Sequence, residues 1–382
     1  MPGNPPESSS SGTLPRREFI RRTSVALLGA AAGLGAGRAP VQRQEPLTVN
    51  GLPGAVLGKT GLAVTRISFG GIMITEPAVL LRALDQGLNL VHLAPGYHDH
   101  RSLEAFGKAL KNRRQQVYIA FKEWPEKLDD SLKALGTDYL DILVPPFEEL
   151  EQVDNPSYRE NFEKAREAGK ARFMGFACHK SMTGILNAAR RAGYYDAVLV
   201  SYANADDPGF LEAAGSAAEA GIGIMTMKGM PEKISLNAEN PDLETCIALC
   251  SAMVERQHAH TVLASMGSFQ VVDTFVDILR TRLGCLNPDL ERRFWASRQG
   301  RYCSMCGKCS GVCPAGVKIP EILRYRMYYS DYGLTDYAKA CYRRLGGLAN
   351  CSACHRCGRC EEFCTRKLPI REMIRQAHAA LA

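Results

Sequence analysis

Eight short apolar runs recur between Ala63 and Gly267, and that recurrence restricts the fold more than any other feature of the chain. They read "AVTRISFGGI" (63–72), "LNLVHLA" (88–94), "VYIAFK" (117–122), "LDILVPP" (140–146), "ARFMGFACH" (171–179), "AVLVSYA" (197–203), "GIGIMTMK" (221–228) and "TVLASMG" (261–267). Between them lie segments such as "SLEAFGKALKN" and "NFEKAREAGK", whose apolar residues stand three and four apart, as on one face of a helix. Near-continuous apolar strands separated by helices imply parallel pairing with both faces covered. Eight such units in about 220 residues predict an α/β fold, a (β/α)8 TIM barrel. No phosphate-binding G-x-G-x-x-G follows the first strand, which argues against an open dinucleotide-binding sheet.

In such a barrel the chemistry gathers where strands end on their C-terminal side. The runs put His92 to Tyr97, Lys122, Pro146, Cys178, His179, Tyr202, Asn204, Lys228 and residues 265–268 on that rim. Tyr97 and Lys122 follow adjacent strands. An ammonium beside a phenol favours the phenolate and lowers its pKa, so the pair is expected to move a proton near neutrality. The stretch "LVHLAPGYHDH" also gathers His92, His98 and His100, which with His179 could supply the nitrogens of a zinc-type site. The "HAH" at 258–260 precedes the last strand, on the opposite rim, and is expected to be structural.

Nine of the fourteen cysteines fall in two C-terminal stretches. "CSMCGKCSGVCP" supplies Cys303, Cys306, Cys309 and Cys313, and "CSACHRCGRCEEFCT" supplies Cys354, Cys357, Cys360 and Cys364, both as C-x2-C-x2-C-x3-C. Three closely spaced thiolates can wrap three corners of an iron–sulfur cube while a fourth arrives from farther along the chain. The run resembles the bacterial two-cluster ferredoxin signature, whose fourth cysteine ligates the other cluster. That resemblance implies two [4Fe–4S] clusters, one on Cys303, Cys306, Cys309 and Cys364, the other on Cys354, Cys357, Cys360 and Cys313. Cys351 is left over and is expected to be a free thiol. The linking segment "IPEILRYRMYYSDYGLTDYAKACYRRLGGLAN" is helical in pattern and rich in Tyr and Arg, expected to pack the small domain.

Residues 286–382 hold seventeen Lys and Arg against eight Asp and Glu, in a chain of formal charge +7. We read this excess as compensation for anionic clusters, with no nucleic-acid partner. At the other end, "PRREFIRRTSVALLGAAAGLGAGRAP" pairs Arg16 and Arg17 with a weakly apolar Ala/Gly stretch too short for a comfortable membrane span. It resembles a twin-arginine export signal. The expected organisation is a signal and linker over 1–45, a barrel over 46–285 and a small C-terminal helical and loop ferredoxin-like domain over 286–382. The mature chain is expected to be periplasmic or otherwise extracytoplasmic, without a membrane span.

In order, "VLGKTGLAVTRISFGG", "LNLVHLAPGY", "VYIAFK", "LGTDYLDILV" and "GKARFMGFACH" resemble the aldo/keto reductase superfamily over roughly residues 47 to 285. The resemblance implies carbonyl reduction with NADP(H) by an Asp, Tyr, Lys and His tetrad, with Tyr97 and Lys122 as its tyrosine and lysine. The aspartate position holds His92 and the histidine position holds Pro146, so half the tetrad differs. The Ser-Asn that holds nicotinamide reads Ala177 and Cys178. Lys228, Asn204, Gly267 and Ser268 remain as cofactor-binding candidates, the last two in "ASMGSFQVVD", which resembles the adenosine-phosphate loop. Together these features predict an exported iron–sulfur oxidoreductase acting on a small molecule such as a carbonyl or alcohol. Tyr97, Lys122 and His92 would be catalytic, and two clusters would relay electrons to a redox partner protein. The alternative is a non-catalytic electron-transfer protein that keeps the barrel as a scaffold.

Overall fold

The computed structural model describes residues 46–97, 101–230 and 241–382; the expected export signal, His98 and His100 lie outside the described residues. Residues Pro46–Ala382 form one compact unit. It opens with a three-stranded antiparallel sheet, β1 (Thr48–Val49), β2 (Leu52–Val56) and β3 (Ala63–Thr65). The barrel strands follow: β4 (Ile67–Gly70), β5 (Leu90–Leu93), β6 (Tyr118–Phe121), β7 (Leu140–Leu143), β9 (Ala171–Cys178), β10 (Ala197–Ser201), β11 (Gly223–Met227) and β12 (Thr261–Ser265). A two-residue strand, β8 (Pro146–Phe147), extends the sheet beside β9. The eight pair in parallel, and β12 returns to β4, so the barrel is closed.

All eight apolar runs become strands, and the first is split. Ala63–Thr65 joins the antiparallel sheet, and the chain enters the barrel only after Arg66. That small sheet floors the barrel. Leu57, Leu62 and Val64 pack with Leu90, Ile142 and Leu263 in the barrel interior. The approach is close: a Cβ on Gly58 would lie 2.3 Å from the Gly223 nitrogen. Wrapped outside are α1 (Pro77–Asp85), α2 (Arg101–Leu110), α3 (Leu128–Leu135), α4 (Pro156–Glu167), α5 (Met182–Ala192), α6 (Pro208–Glu219), α7 (Pro241–Glu255) and α8 (Phe269–Asp277). Their apolar faces cover strand residues such as Phe69, Phe121 and Phe176. Each such fully buried side chain contributes about 1.5–3 kcal/mol.

Beyond the barrel come α9 (Pro288–Arg298), the first cysteine loop, α10 (Ile319–Ser330), α11 (Thr335–Arg343), the second cysteine loop with the short α12 (Arg359–Glu362), and α13 (Ile370–Leu381). This segment has its own apolar core, including Val317, Ile322, Leu323, Ala338, Tyr342, Ile370 and Ile374. It rests on the barrel's C-terminal rim. Ser181 N, just after β9, donates to Met305 O at 3.2 Å. The buried Lys180 ammonium bridges Glu149 at 2.9 Å and Glu321 of α10 at 3.0 Å. Arg366 grips Asp206 with two parallel bonds, one of 2.6 Å. Bidentate pairs of this kind fix orientation as well as energy. Among the described residues, no helix is long and apolar enough to cross a membrane.

Candidate functional site

The barrel mouth opens into a pocket lined by His92, Tyr97, His179, Met227, Lys228 and Ser265, with Tyr328 of α10 and Tyr332, just beyond the helix end, as its roof. His92 ends β5, opposite Ala120 of β6. It is buried and its Nε2 has no hydrogen-bond partner. Burial, and then the Lys122 charge, push its pKa down to about 3, so the ring is neutral. Tyr97 stands edge-on to His92 at 6.2 Å between centroids and edge-on to Tyr337 of α11 at 5.9 Å.

The expected Tyr97–Lys122 partnership is corrected in two respects. Burial pushes the Tyr97 phenol far above its ordinary value, with Arg324 a lesser opposing influence, so it holds its proton rather than being poised near neutrality. The Lys122 ammonium hydrogen-bonds instead with His179 Nε2 at 3.1 Å. Lys122 is pushed down to about 8 by burial and by the Arg324 charge, with Glu148 opposing. It therefore remains largely protonated at neutral pH. An ammonium can only donate, so His179 Nε2 accepts and the neutral ring carries its hydrogen on Nδ1. That Nδ1 is buried without a partner. Burial and the Lys122 charge hold His179 well below its ordinary pKa.

Pro146 lies in β8 beside Ala177. It leaves no side-chain donor there, and His179, from the end of β9, brings an imidazole to the mouth instead. Cys178 is not exposed to that pocket. Its thiol donates to Lys180 O at 2.8 Å, and burial raises it to about 12, which keeps it from acting as a thiolate. His260 Nδ1 accepts from Ile224 N at 3.0 Å, a structural role.

The nicotinamide candidates are engaged elsewhere. Lys228, held at φ +59°, directs its ammonium to the Tyr328 hydroxyl at 3.4 Å and lies 4.4 Å from that ring's centre. Ser268 uses its hydroxyl to cap α8, accepting from Val271 N. Gly267 packs against Met73, and Asn204 is buried in the turn after β10. Tyr328 of α10 thus both engages the Lys228 ammonium and covers the pocket that Lys228 lines.

The eight cluster cysteines line two separate, partly open cavities, in the sets the ferredoxin resemblance implied. One, of about 320 Å³, is bounded by Cys303, Cys306, Cys309 and Cys364, with Pro320 and Leu323 of α10. The other, of about 350 Å³, is bounded by Cys313, Cys354, Cys357 and Cys360, with Ile319 and Ile374. The loops repeat each other's backbone. Met305 and Arg356, then Gly307 and Gly358, then Gly316 and Lys367 occupy matching positions, all with positive φ. Backbone amides donate to sulfur at Cys303, Cys354 and Cys364. Burial raises the thiol of Cys303 to about 12 and that of Cys360 to about 11. Among the described residues, no three His, Cys, Asp or Glu side chains converge as they would on a single ion. Two of the four histidines of the zinc-type reading, His98 and His100, lie outside the described residues, and each set of four cysteines borders one cavity, the arrangement a cuboidal cluster requires. Cys351 borders neither cavity.

Sequence reasoning under-weighted α10. Arg324, Tyr325, Tyr328 and Tyr332 recur at helical spacing in "LRYRMYYSDY", a stripe that meets the barrel rather than only packing its own domain.

The aldo/keto reductase family model matches residues 75–204. The aldo-keto reductase YhdN of Bacillus subtilis is 30% identical over 156 residues, which is 31% of this chain and 45% of that protein. One component of the H(2):CoB-CoM heterodisulfide,ferredoxin reductase of Methanothermobacter thermautotrophicus is 32% identical over 76 residues, 20% of this chain and 37% of that component. The chain thus spans less than half the length of these curated relatives. The structure of an aldo/keto reductase from Klebsiella pneumoniae in complex with NADP and acetate superposes with a TM-score of 0.52 at 20% identity, covering 63% of this chain and 95% of its own. The closed barrel described above therefore has the (β/α)8 fold seen in aldo/keto reductase structures, and residues 75–204 match that family's model.

Proposed function

We propose that the protein is an iron–sulfur oxidoreductase that holds a small organic molecule at the barrel mouth. The observation that carries this reading is α10. Its Pro320 and Leu323 bound the first cysteine cavity, and its Tyr328, with Tyr332 just past its end, roofs the barrel pocket. Leu323 and Tyr328 are five residues apart, about 7.5 Å along the helix axis. Bound [4Fe–4S] clusters supply one-electron donors and acceptors, and hydrogen bonds to their sulfurs tune their potentials.

Within the pocket, Tyr97 keeps its phenolic proton and acts as a proton donor. His179 offers Nδ1–H to a substrate oxygen, with Lys122 fixing the tautomer from behind. His92, neutral, orients the substrate. Tyr328 and Tyr332 exclude bulk water. Lys228 is engaged by the Tyr328 hydroxyl and Ser268 by the cap of α8, which supports a redox partner protein rather than NADP(H) as the source of reducing equivalents. Residues 1–45 would direct the folded, metal-loaded protein to the periplasm by the twin-arginine route.

The test is anaerobic reconstitution followed by iron and sulfide analysis and electron paramagnetic resonance of the reduced protein. Eight iron atoms per chain are expected, with Cys306→Ala and Cys357→Ala each removing one of two distinct signals. Zinc without sulfide, or loss of both signals together in either variant, would overturn the assignment.

A further inference from the structure

The charges around the pocket are unbalanced in one direction. Those that dominate at His179 are Lys122, Arg324 and Lys228, all positive. Arg324, on α10, is buried and its Nε has no partner. Its carboxylate neighbour is Glu148, at 3.6 Å on a half-exposed side chain. The other nearby acids are committed elsewhere: Glu321 to Lys180, and Glu149 to Lys180 and Lys318. Lys228 meets the Tyr328 hydroxyl and the rings of Tyr328 and Tyr332. The remaining polar groups at the wall are neutral: the Tyr97 phenol and the unpartnered nitrogens His92 Nε2 and His179 Nδ1.

Of these cations Lys228 lines the pocket, and Lys122 stands behind the lining His179, to which it is hydrogen-bonded. Like charges held close in a low-dielectric surrounding repel one another, and a bound anion turns that cost into attraction. His179 Nδ1–H is a buried donor in need of an acceptor. The cost of leaving such a donor unmatched is about 1–3 kcal/mol. An oxyanion satisfies both demands, and a neutral carbonyl satisfies only the second.

We infer that the barrel-mouth pocket takes a small organic oxyanion, its carboxylate or phosphate received by Lys228 and His179 Nδ1 with Arg324 and Lys122 behind them. This deepens the oxidoreductase reading and rests on it for the statement that the bound molecule is the substrate. One of the four groups, Arg324, and the Tyr328 hydroxyl that meets Lys228 come from the cysteine-bearing segment. The anion site is therefore shared between barrel and segment and belongs to neither alone.

The experiment is calorimetric binding to the reconstituted protein, without turnover, using acetate, its neutral isostere acetamide, and inorganic phosphate. Acetate or phosphate should bind at least ten-fold more tightly than acetamide, and whichever is tighter identifies the anionic group. Lys228→Met should weaken the preferred anion ten-fold or more, whereas Lys228→Arg should retain it within a few-fold. Thermal midpoints and cluster absorption of both variants report that the fold and metal content are kept. Equal binding of acetate and acetamide, no binding of any probe, or indifference to Lys228→Met would overturn the inference. Iron and sulfide content of the same samples judge the cluster reading separately, because neither depends on an anion.

Discussion

The Lys122 ammonium lies 3.1 Å from His179 Nε2, so a lysine after β6 sets the tautomer of a histidine after β9. Above a pH of about 8 Lys122 loses its proton, and His179 is no longer compelled to carry hydrogen on Nδ1. The pH–rate profile of substrate-dependent turnover should therefore show an alkaline limb near 8. Lys122→Met should abolish that limb and lower the rate about 10²-fold, measured as kcat across pH 6 to 9.5.

Tyr97→Phe should reduce turnover by about 10²-fold or more, the usual worth of a positioned proton donor. Iron content should be untouched, because Tyr97 borders the barrel pocket and neither cysteine cavity. Undiminished kcat in the variant would remove Tyr97 from the chemistry.

His92 titrates near 3 in the folded chain against 6.5 as an ordinary imidazole. Between those values the unfolded state binds the extra proton, so stability falls as pH falls through that window. By pH 5 the linked loss is roughly 2 kcal/mol. His92→Gln should flatten the decline of the thermal midpoint between pH 7 and pH 5 relative to the parent protein.

The eight-strand barrel was legible because its strands are buried on both faces and read as unbroken apolar runs. The two cysteine cavities were legible through the ferredoxin resemblance, which assigns the fourth cysteine of each run to the other set. The pocket's electrostatics were not. Adjacency of Tyr97 and Lys122 on the rim said nothing of burial, which dominates the tyrosine, or of His179, which lies fifty-seven residues beyond Lys122 and takes its hydrogen bond. The roof was missed for a related reason. A tyrosine stripe on an amphipathic helix reads the same whether it covers its own domain or a neighbour's open end.

Gly307 and Gly358 hold matching places in the two cysteine loops, with φ of +82° and +85°. A Cβ at Gly307 would meet Ser181 Oγ at 2.5 Å, whereas at Gly358 its nearest neighbour is the flexible Arg371 at 3.8 Å. Alanine at either position carries the left-handed penalty of about 1–2 kcal/mol. Gly307→Ala should cost more, because Ser181 anchors the first loop to the barrel. Thermal midpoints of the two variants give the comparison.

Tyr328→Ala should lower stability by about 3 kcal/mol, as expected for a buried aromatic truncated to alanine. It also removes the ring against which the Lys228 ammonium rests. The readout is the thermal midpoint, together with faster solvent exchange at the pocket.

One helix keeps time for two sites. Leu323 faces the first cysteine cavity and Tyr328 the barrel pocket, and the phase between them is set by the turn of α10 alone. A single residue inserted between them would advance Tyr328 by about 1.5 Å and swing it by about 100°, turning its ring off the pocket and shifting Cys354, Cys357, Cys360 and Cys364, which follow it in the chain, against the cysteines that precede it. The stretch from Leu323 to Tyr332 can therefore exchange side chains far more readily than it can change length.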